Sequence, residues 1–519
     1  MPRSASALPL FGWPLWLTCA LFLFAGAFGH DPWKTDDAVH LGVAWGFLRD
    51  GFGLVPRLAG EAWTGSAPLF HWLAAATGWL LQWLVPFHDG ARLASALLGA
   101  LTLVFVGGAA RRWLGREAGL AAPLLLLGCL GWLVPLHEAQ PANVVVAAHA
   151  AAYWSVALRG GAGAGAALGG ALAASFLAGG ADGPMPIAWL VLVPLVRRQW
   201  MMAGTAVLVA AAAGAAWPLL LAGHSPDYLR AWWQAELAAL FADGGPSRGH
   251  AQLLAWFTWP LLPLAAWTLW LQRRQWTGAE TLLPLAGTAL CLALFLAGDD
   301  RPLLAMPLLV PLTLLAAAGA GRLRRGAANA FDWFGSMTFT LVAALVWLGG
   351  IAMLTGWPAQ IARNFAKLEP GFEARLSVPA LVIAAAATVA WLSVLRLPRS
   401  PWRATTHWGL GLTTMWLLVN ALWLPWIDYG KTYRPVAEAL RRALPKDPGC
   451  IARRELGTAQ RASLDYFAGI RTVADGERRC RWLLVQGGAR ARTPEGWAQV
   501  WEGSRPSDKS ERWRLYARH

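Results

Sequence analysis

The stretch His30-Asp31-Pro32-Trp33-Lys34-Thr35-Asp36-Asp37 decides how this chain is read. It follows a hydrophobic run over 9–29 and continues through Ala38 to Asp50 and Gly51-Phe52-Gly53-Leu54-Val55-Pro56-Arg57-Leu58-Ala59-Gly60. It closes on Ser66-Ala67-Pro68-Leu69-Phe70-His71-Trp72. Two adjacent carboxylates thus stand just past a lipid-length segment, at the height of a membrane surface. Ionisable groups beside hydrocarbon are costly and tend to be kept for a function. The remaining spans are expected to hold this loop in place.

Working outward, the 519 residues are 56% hydrophobic and 14% charged, whereas a soluble domain carries about 25% charged residues. Repeated apolar runs of roughly 18–22 residues match a bilayer core. Spans are expected near 9–29, 90–110, 118–135, 143–158, 163–180, 185–197, 201–222, 251–271, 279–297, 302–320, 332–352, 378–396 and 405–426. The expected fold class is an all-α polytopic membrane protein of about thirteen transmembrane helices, with a small C-terminal α/β domain. The first run follows Arg3 but lacks a small-residue cleavage site, so it reads as a retained helix.

Charge placement orients the chain. The formal net charge is +15, but many basic residues stand in short loops: Arg111-Arg112, Arg197-Arg198, Arg273-Arg274, Arg324-Arg325 and Arg396 to Arg403. That is the positive-inside pattern, and it argues against nucleic-acid binding. Thirteen spans put all five loops and Arg3 on one face, the cytoplasmic one. Loops 30–89, 136–142, 179–184, 223–250, 298–301 and 353–377 share the outer face with the C-terminal tail. A spanning 68–85 would break that parity, so this run is expected to lie along or dip into the membrane surface.

Residues 159–180 are almost all Gly and Ala, which lets helices approach closely in lipid. Asp227-Tyr228-Leu229-Arg230-Ala231-Trp232-Trp233 reads as an interfacial helix. The division expected is a membrane domain over 1–427 and a soluble domain over 428–519. In the latter, Pro435 to Leu444 has helical spacing, and the runs at Cys450 and Trp482 read as strands. Cys19, Cys129 and Cys291 lie in apolar runs as packing thiols. Cys450 and Cys480, 30 residues apart, are candidates for a disulfide if the tail is outside the cytoplasm.

Asp36 and Asp37 have two readings. A carboxylate at a membrane surface can accept or orient a proton during group transfer, with Lys34, Arg57, Arg230, Arg248 and Arg301 as cations for a phosphate. The pair can equally cap a helix starting at Ala38. His137-Glu138 faces water at a loop or forms a proton relay. His30, His71, His88, His137 and His250 share the outer face without a fixed metal-ligand spacing. Asp299-Asp300-Arg301 is a charged end of a span or a phosphate contact.

Three segments carry a resemblance. Asp36-Asp37-Ala38, Val55-Pro56-Arg57-Leu58-Ala59-Gly60 and Ala67-Pro68-Leu69-Phe70-His71-Trp72 resemble the first outer loop of the GT-C glycosyltransferases of the aminoarabinose-transferase-like, protein O-mannosyltransferase-related group. Arg301-Pro302-Leu303-Leu304-Ala305-Met306-Pro307 resembles that group's basic residue ahead of a Pro-containing helix. The resemblance implies transfer of a sugar from a polyprenyl-phosphate donor to a lipid A-like lipid or a protein on the periplasmic face of a bacterial inner membrane, with inversion. It implies Asp36 as the catalytic Asp and Asp37 in place of the neighbouring Glu, with Glu138 nearest to the second acidic position. Lys34, Arg57, His71, Arg230 and Arg301 are the candidate substrate-binding residues. The chain departs from the pattern where the group's Lys falls at Ser66 and its Glu at Gly65. In the 179–184 loop, Asp182-Gly183 stands where the group often has Lys-Gly. A divalent metal is left open and none is required by the residues. A transporter and an assembly or scaffold protein are the rivals; the first would need ionisable residues in mid-span.

Overall fold

The computed structural model describes residues 12–33, 35–240, 245–274, 276–298, 301–474, 479–488, 493–505, 508 and 511–518. Lys34, Arg3 and Asp299-Asp300 lie outside them. Within them the chain is mostly helical. The opening elements are α1 (Trp13–Phe24), α2 (Asp36–Arg49), α3 (Leu69–Leu81), α4 (Phe87–Leu114), α5 (Arg116–Leu127), α6 (Leu130–His137) and α7 (Ala142–Val156). Among the described residues six helices are long and apolar enough to cross a membrane, or up to nine if each bent pair is one span. The bent pairs are α5 with α6 (71°), Arg248–Phe257 with Leu261–Leu271 (85°), and Arg403–Leu422 with Leu424–Lys431 (66°). The expected number of spans is therefore not reached by length alone. Trp13–Phe24, Met185–Val196 and Val378–Val394 are apolar but shorter, and α7 has 15 residues.

Helix α3 has 13 residues, about 20 Å at roughly 1.5 Å per residue, short of a hydrocarbon core about 30 Å thick. Its Phe70, His71, Ala74, Ala75 and Gly78 are buried, while Trp79 and Leu80 stay exposed. That is the two-sided character of a helix lying at an interface. The Gly/Ala-rich run forms the helix Ala162–Gly179 against Trp200–His224. A Cβ at Gly165 or Gly169 would collide with Thr205 or the Ala206 carbonyl, so contact this close requires glycine. The interfacial helix runs over Pro226–Leu240, burying Tyr228 and Trp232.

The main apolar core joins α1, α4, α5, α6 and α7 to the helix Leu309–Ala320. In the first loop a short hairpin, β1 (Arg57–Leu58) with β2 (Glu61–Ala62), follows α2. At the C-terminus β3 (Ile451–Arg454), β4 (Trp482–Gly487), β5 (Trp497–Gly503) and β6 (Arg512–Arg518) form one sheet in the order β3-β4-β6-β5, with β3 parallel to β4 and the other pairs antiparallel. Helices Arg434–Ala443 and Thr458–Ala468 accompany it.

Because β3 and β4 are neighbours, Cys450 and Cys480, one just before and one two residues before those strands, are joined as a disulfide with Cα atoms 4.9 Å apart. Purified, unreduced protein is expected to leave both residues unlabelled by a thiol reagent after unfolding. Labelling of both without a reductant would refute the bridge. Among the described cysteines Cys19, Cys129 and Cys291 are free and buried.

The C-terminal segment is pinned to the first loop by charge. Glu61 on β2 receives Arg453 (2.6 and 2.9 Å) and Arg461 (2.6 Å). Arg471 reaches Asp50 at 2.8 Å, Arg49 pairs with Asp465, and Arg434 Nε donates to Asp31 at 2.9 Å. Residues about 400 positions apart in sequence thus fix the height of α2.

Candidate active site

Helix α2 starts at Asp36, two residues earlier than a capping role for the pair requires. Thr35 is the N-cap residue and no side chain caps the helix. The capping expectation is therefore corrected: both carboxylates lie in the first turn, where the helix dipole favours negative charge. Consecutive helical residues point about 100° apart, which separates their fates.

Asp37 turns inward and is 1% exposed. Its Oδ2 receives Arg92 Nη2 at 2.7 Å and the Trp33 backbone N–H at 3.2 Å; its Oδ1 receives Arg92 Nε at 3.3 Å and the Ala139 N–H at 2.8 Å. Burial pushes this carboxyl up, but the Arg92 guanidinium outweighs that and holds it below the usual range. Arg92, on α4 and 0% exposed, also donates to the carbonyls of His30 (2.8 Å) and Asp31 (3.0 Å) and to Asp89 (3.4 Å). The Arg92–Asp37 pair therefore ties together the exit of α1, the start of α2 and the loop after α6.

Asp36 is the other kind of acid. It is half-buried and makes no hydrogen bond or ion pair among the described residues. Burial raises its carboxyl above the usual range; the positive Arg301 opposes the rise and the negative Asp37 adds to it. Glu138, just past α6, is pushed up to about 7 by burial and by Asp37, with Asp36 adding to it. Its Oε2 accepts from Gln140 at 3.2 Å. Asp36, Glu138 and Arg301 thus share one electrostatic neighbourhood above the Asp37–Arg92 pair. A carboxyl near 7 is suited to proton exchange at neutral pH.

Other candidates lie elsewhere. Arg57 sits where α2 ends: a Cβ at Gly46 would strike the Arg57 carbonyl. Gly46 is ten residues beyond Asp36, about 15 Å along the helix, so Arg57 is removed from the carboxylates. Arg230 is exposed on its helix and pairs with Asp227 one turn away, while Tyr228 on the buried side donates to the Trp63 carbonyl at 2.8 Å. Of the described candidate phosphate-binding cations, Arg301 is the one whose charge bears on Asp36. His71 is fully buried, with its Nε2 3.1 Å from His40 Nδ1, one layer behind the α2 surface. His137 is also buried, between the Phe22 and Leu133 carbonyls (2.6 and 2.5 Å), which replaces the water-facing expectation for the His137-Glu138 pair. Ser66 is buried beside the Trp63 indole.

Among the described residues no three His, Cys, Asp or Glu side chains converge as metal ligands, and Gly65 supplies no donor. The residues present do not fit the metal site of the resembled group. Arg92 is the residue that sequence reading missed. It sits at the head of an apolar run, and its acid partner is 55 residues away; a lone Arg inside such a run was the available signal.

Together these features define a multi-pass membrane protein with a partly exposed carboxylate, Asp36, that feels the positive charge of Arg301. The chain shares its fold with solved membrane transferases. It superposes on ArnT from Cupriavidus metallidurans bound to undecaprenyl phosphate with a TM-score of 0.69 and 17% identity, covering 97% of both chains; the apo form gives 0.68 and 16% over the same shares. The oligosaccharyltransferase AglB from Archaeoglobus fulgidus matches at 0.50 and 10% identity, covering 91% of this chain and 69% of that one. No family model and no curated protein matches by sequence.

Proposed function

We propose that the chain is a thirteen-span inner-membrane glycosyltransferase that moves a sugar from a polyprenyl phosphate to a lipid A-like lipid or a protein on the periplasmic face. The N-terminus lies in the cytoplasm and residues 428–519 form a periplasmic domain. The observation that supports this most is the division of labour in one acidic pair. Asp37 is saturated by structural contacts, while Asp36 is unpartnered and faces Arg301, in a chain similar over 97% of its length to ArnT.

In this reading Asp36 accepts the proton of the acceptor oxygen as that oxygen attacks C1 of the sugar. The bond from C1 to the phosphate oxygen breaks, and polyprenyl phosphate leaves with the electron pair. Arg301 offsets the charge on the departing phosphate, so no strong acid is needed. Direct displacement inverts the anomeric centre and needs no covalent enzyme intermediate. Asp37 and Arg92 act as positioning residues, and Glu138 sets the charge beside the base.

A deletion strain compared with strains rescued by the intact chain or by Asp36→Asn tests this reading. The deletion is expected to lose one sugar from its glycolipids or glycoproteins. The intact chain restores it and the variant does not. Full restoration by an equally abundant Asp36→Asn chain would remove Asp36 from the chemistry.

A further inference from the structure

A cavity of about 510 Å³ opens at the far end of α2. It is lined by Gly46, Phe47 and Asp50, the loop Gly51 to Val55, and Arg57, His224 and Ser225. The loop Gly51 to Val55 has a specific backbone arrangement. The Trp72 indole donates to the Gly53 carbonyl at 3.3 Å, and the Trp217 indole donates to the Leu54 carbonyl at 2.9 Å. Neither tryptophan lines the cavity. In a planar trans peptide the N–H points opposite to the preceding C=O, so the N–H groups of Leu54 and Val55 point away from the indoles. Among the described residues the backbone N–H groups of residues 51 to 55 have no hydrogen-bond partner at all. Gly51, at φ +91°, makes the turn that sets up this run of donors.

Successive unbonded amides form an anion-binding concavity. The cation beside them is Arg57. Arg57 is exposed and donates only to the Gly60 carbonyl, at 3.3 Å, and His224 is exposed without a partner among the described residues. The acid of the wall, Asp50, is already matched by Arg471 at 2.8 Å. Phe52, 59% exposed, offers a ring face to the apolar side of a sugar.

We propose that this cavity binds the phosphomonoester of a phosphorylated saccharide, about 15 Å from Asp36 by the length of α2 and separate from the donor phosphate at Arg301. The arginine and the free amides hold the phosphate, and Phe52 lies under the sugar ring. The proposal does not depend on the transferase reading.

The test uses the full chain in lipid nanodiscs, titrated with glucose 6-phosphate, inorganic phosphate and glucose by calorimetry. Glucose 6-phosphate is expected to bind at least tenfold more tightly than glucose. Arg57→Gln and His224→Gln are each expected to weaken it, and together by at least tenfold, with unchanged thermal melts. Asp36→Asn should bind like the wild type, which separates this site from the proposed active site. A phosphorylated glycolipid placed in the nanodisc that competes for the site identifies a lipid headgroup as the source. Binding that the glycolipid leaves unchanged identifies a free sugar phosphate, and both results retain the site. Equal affinity for glucose and glucose 6-phosphate, or unchanged affinity in the doubly substituted protein, would overturn the proposal.

Discussion

Arg92→Leu is expected to destabilise the protein by about 3–5 kcal/mol, the usual cost of removing one partner from a buried ion pair. The substitution leaves Asp37 buried without its cation and strands the carbonyls of His30 and Asp31, which now accept at 2.8 and 3.0 Å. Desolvated acceptors without donors add to the loss. Arg92→Lys should recover only part of it, because an ammonium cannot reproduce the forked geometry that serves four acceptors. Thermal unfolding of purified protein checks this, and an unchanged midpoint for Arg92→Leu would mean the pair does not support the site. Arg92→Leu combined with Asp37→Asn should cost less than the sum of the two single changes.

Asp36→Asn is expected to lower the transfer rate by about 10²–10⁴-fold, the range for losing a positioned general base, with little change in thermal stability because Asp36 makes no contact that holds the fold. The sign of the pH dependence follows from the neighbours. Burial raises the Asp36 carboxyl, so the acid limb of activity falls at a pH above that of an ordinary aspartate. Burial and the negative Asp37 push the Glu138 carboxyl up to about 7. As pH rises through that value it gains a negative charge beside Asp36 and strengthens the base, so the wild-type rate should rise through an inflection near 7. Glu138→Gln is expected to erase that inflection while keeping the lower limb. A rate profile indifferent to Glu138 would separate the two acids.

Much of this was legible in the residues, for stated reasons. The Asp36-Asp37 pair stood out because two charges follow a lipid-length run directly. The Gly/Ala helix, the interfacial helix after Ser225 and β4 followed from composition and periodicity. What stayed hidden depends on long-range partners. Arg92 lies within what reads as a span, and nothing local ties it to Asp37. The clamp of Arg434, Arg453, Arg461 and Arg471 on the first loop joins residues about 400 apart. Strand β6, Arg-Trp-Arg-Leu-Tyr-Ala-Arg, buries four consecutive residues from Trp513 to Tyr516, Arg514 among them, so no period-two pattern marks it. Helix length alone does not reach the number of spans read from the residues, because several apolar runs are split into bent pairs such as α5 with α6 or form shorter helices such as Trp13–Phe24.

In the proposed reaction Asp36 takes a proton while a sugar leaves a polyprenyl phosphate. The most direct measurement incubates the purified chain in liposomes with polyprenyl-phosphate sugars and an acceptor extract, and follows released polyprenyl phosphate by mass spectrometry. The expected result is acceptor-dependent release from one donor by the wild type, at least a hundredfold slower with Asp36→Asn. Release at the same rate by a well-folded Asp36→Asn protein would contradict the account.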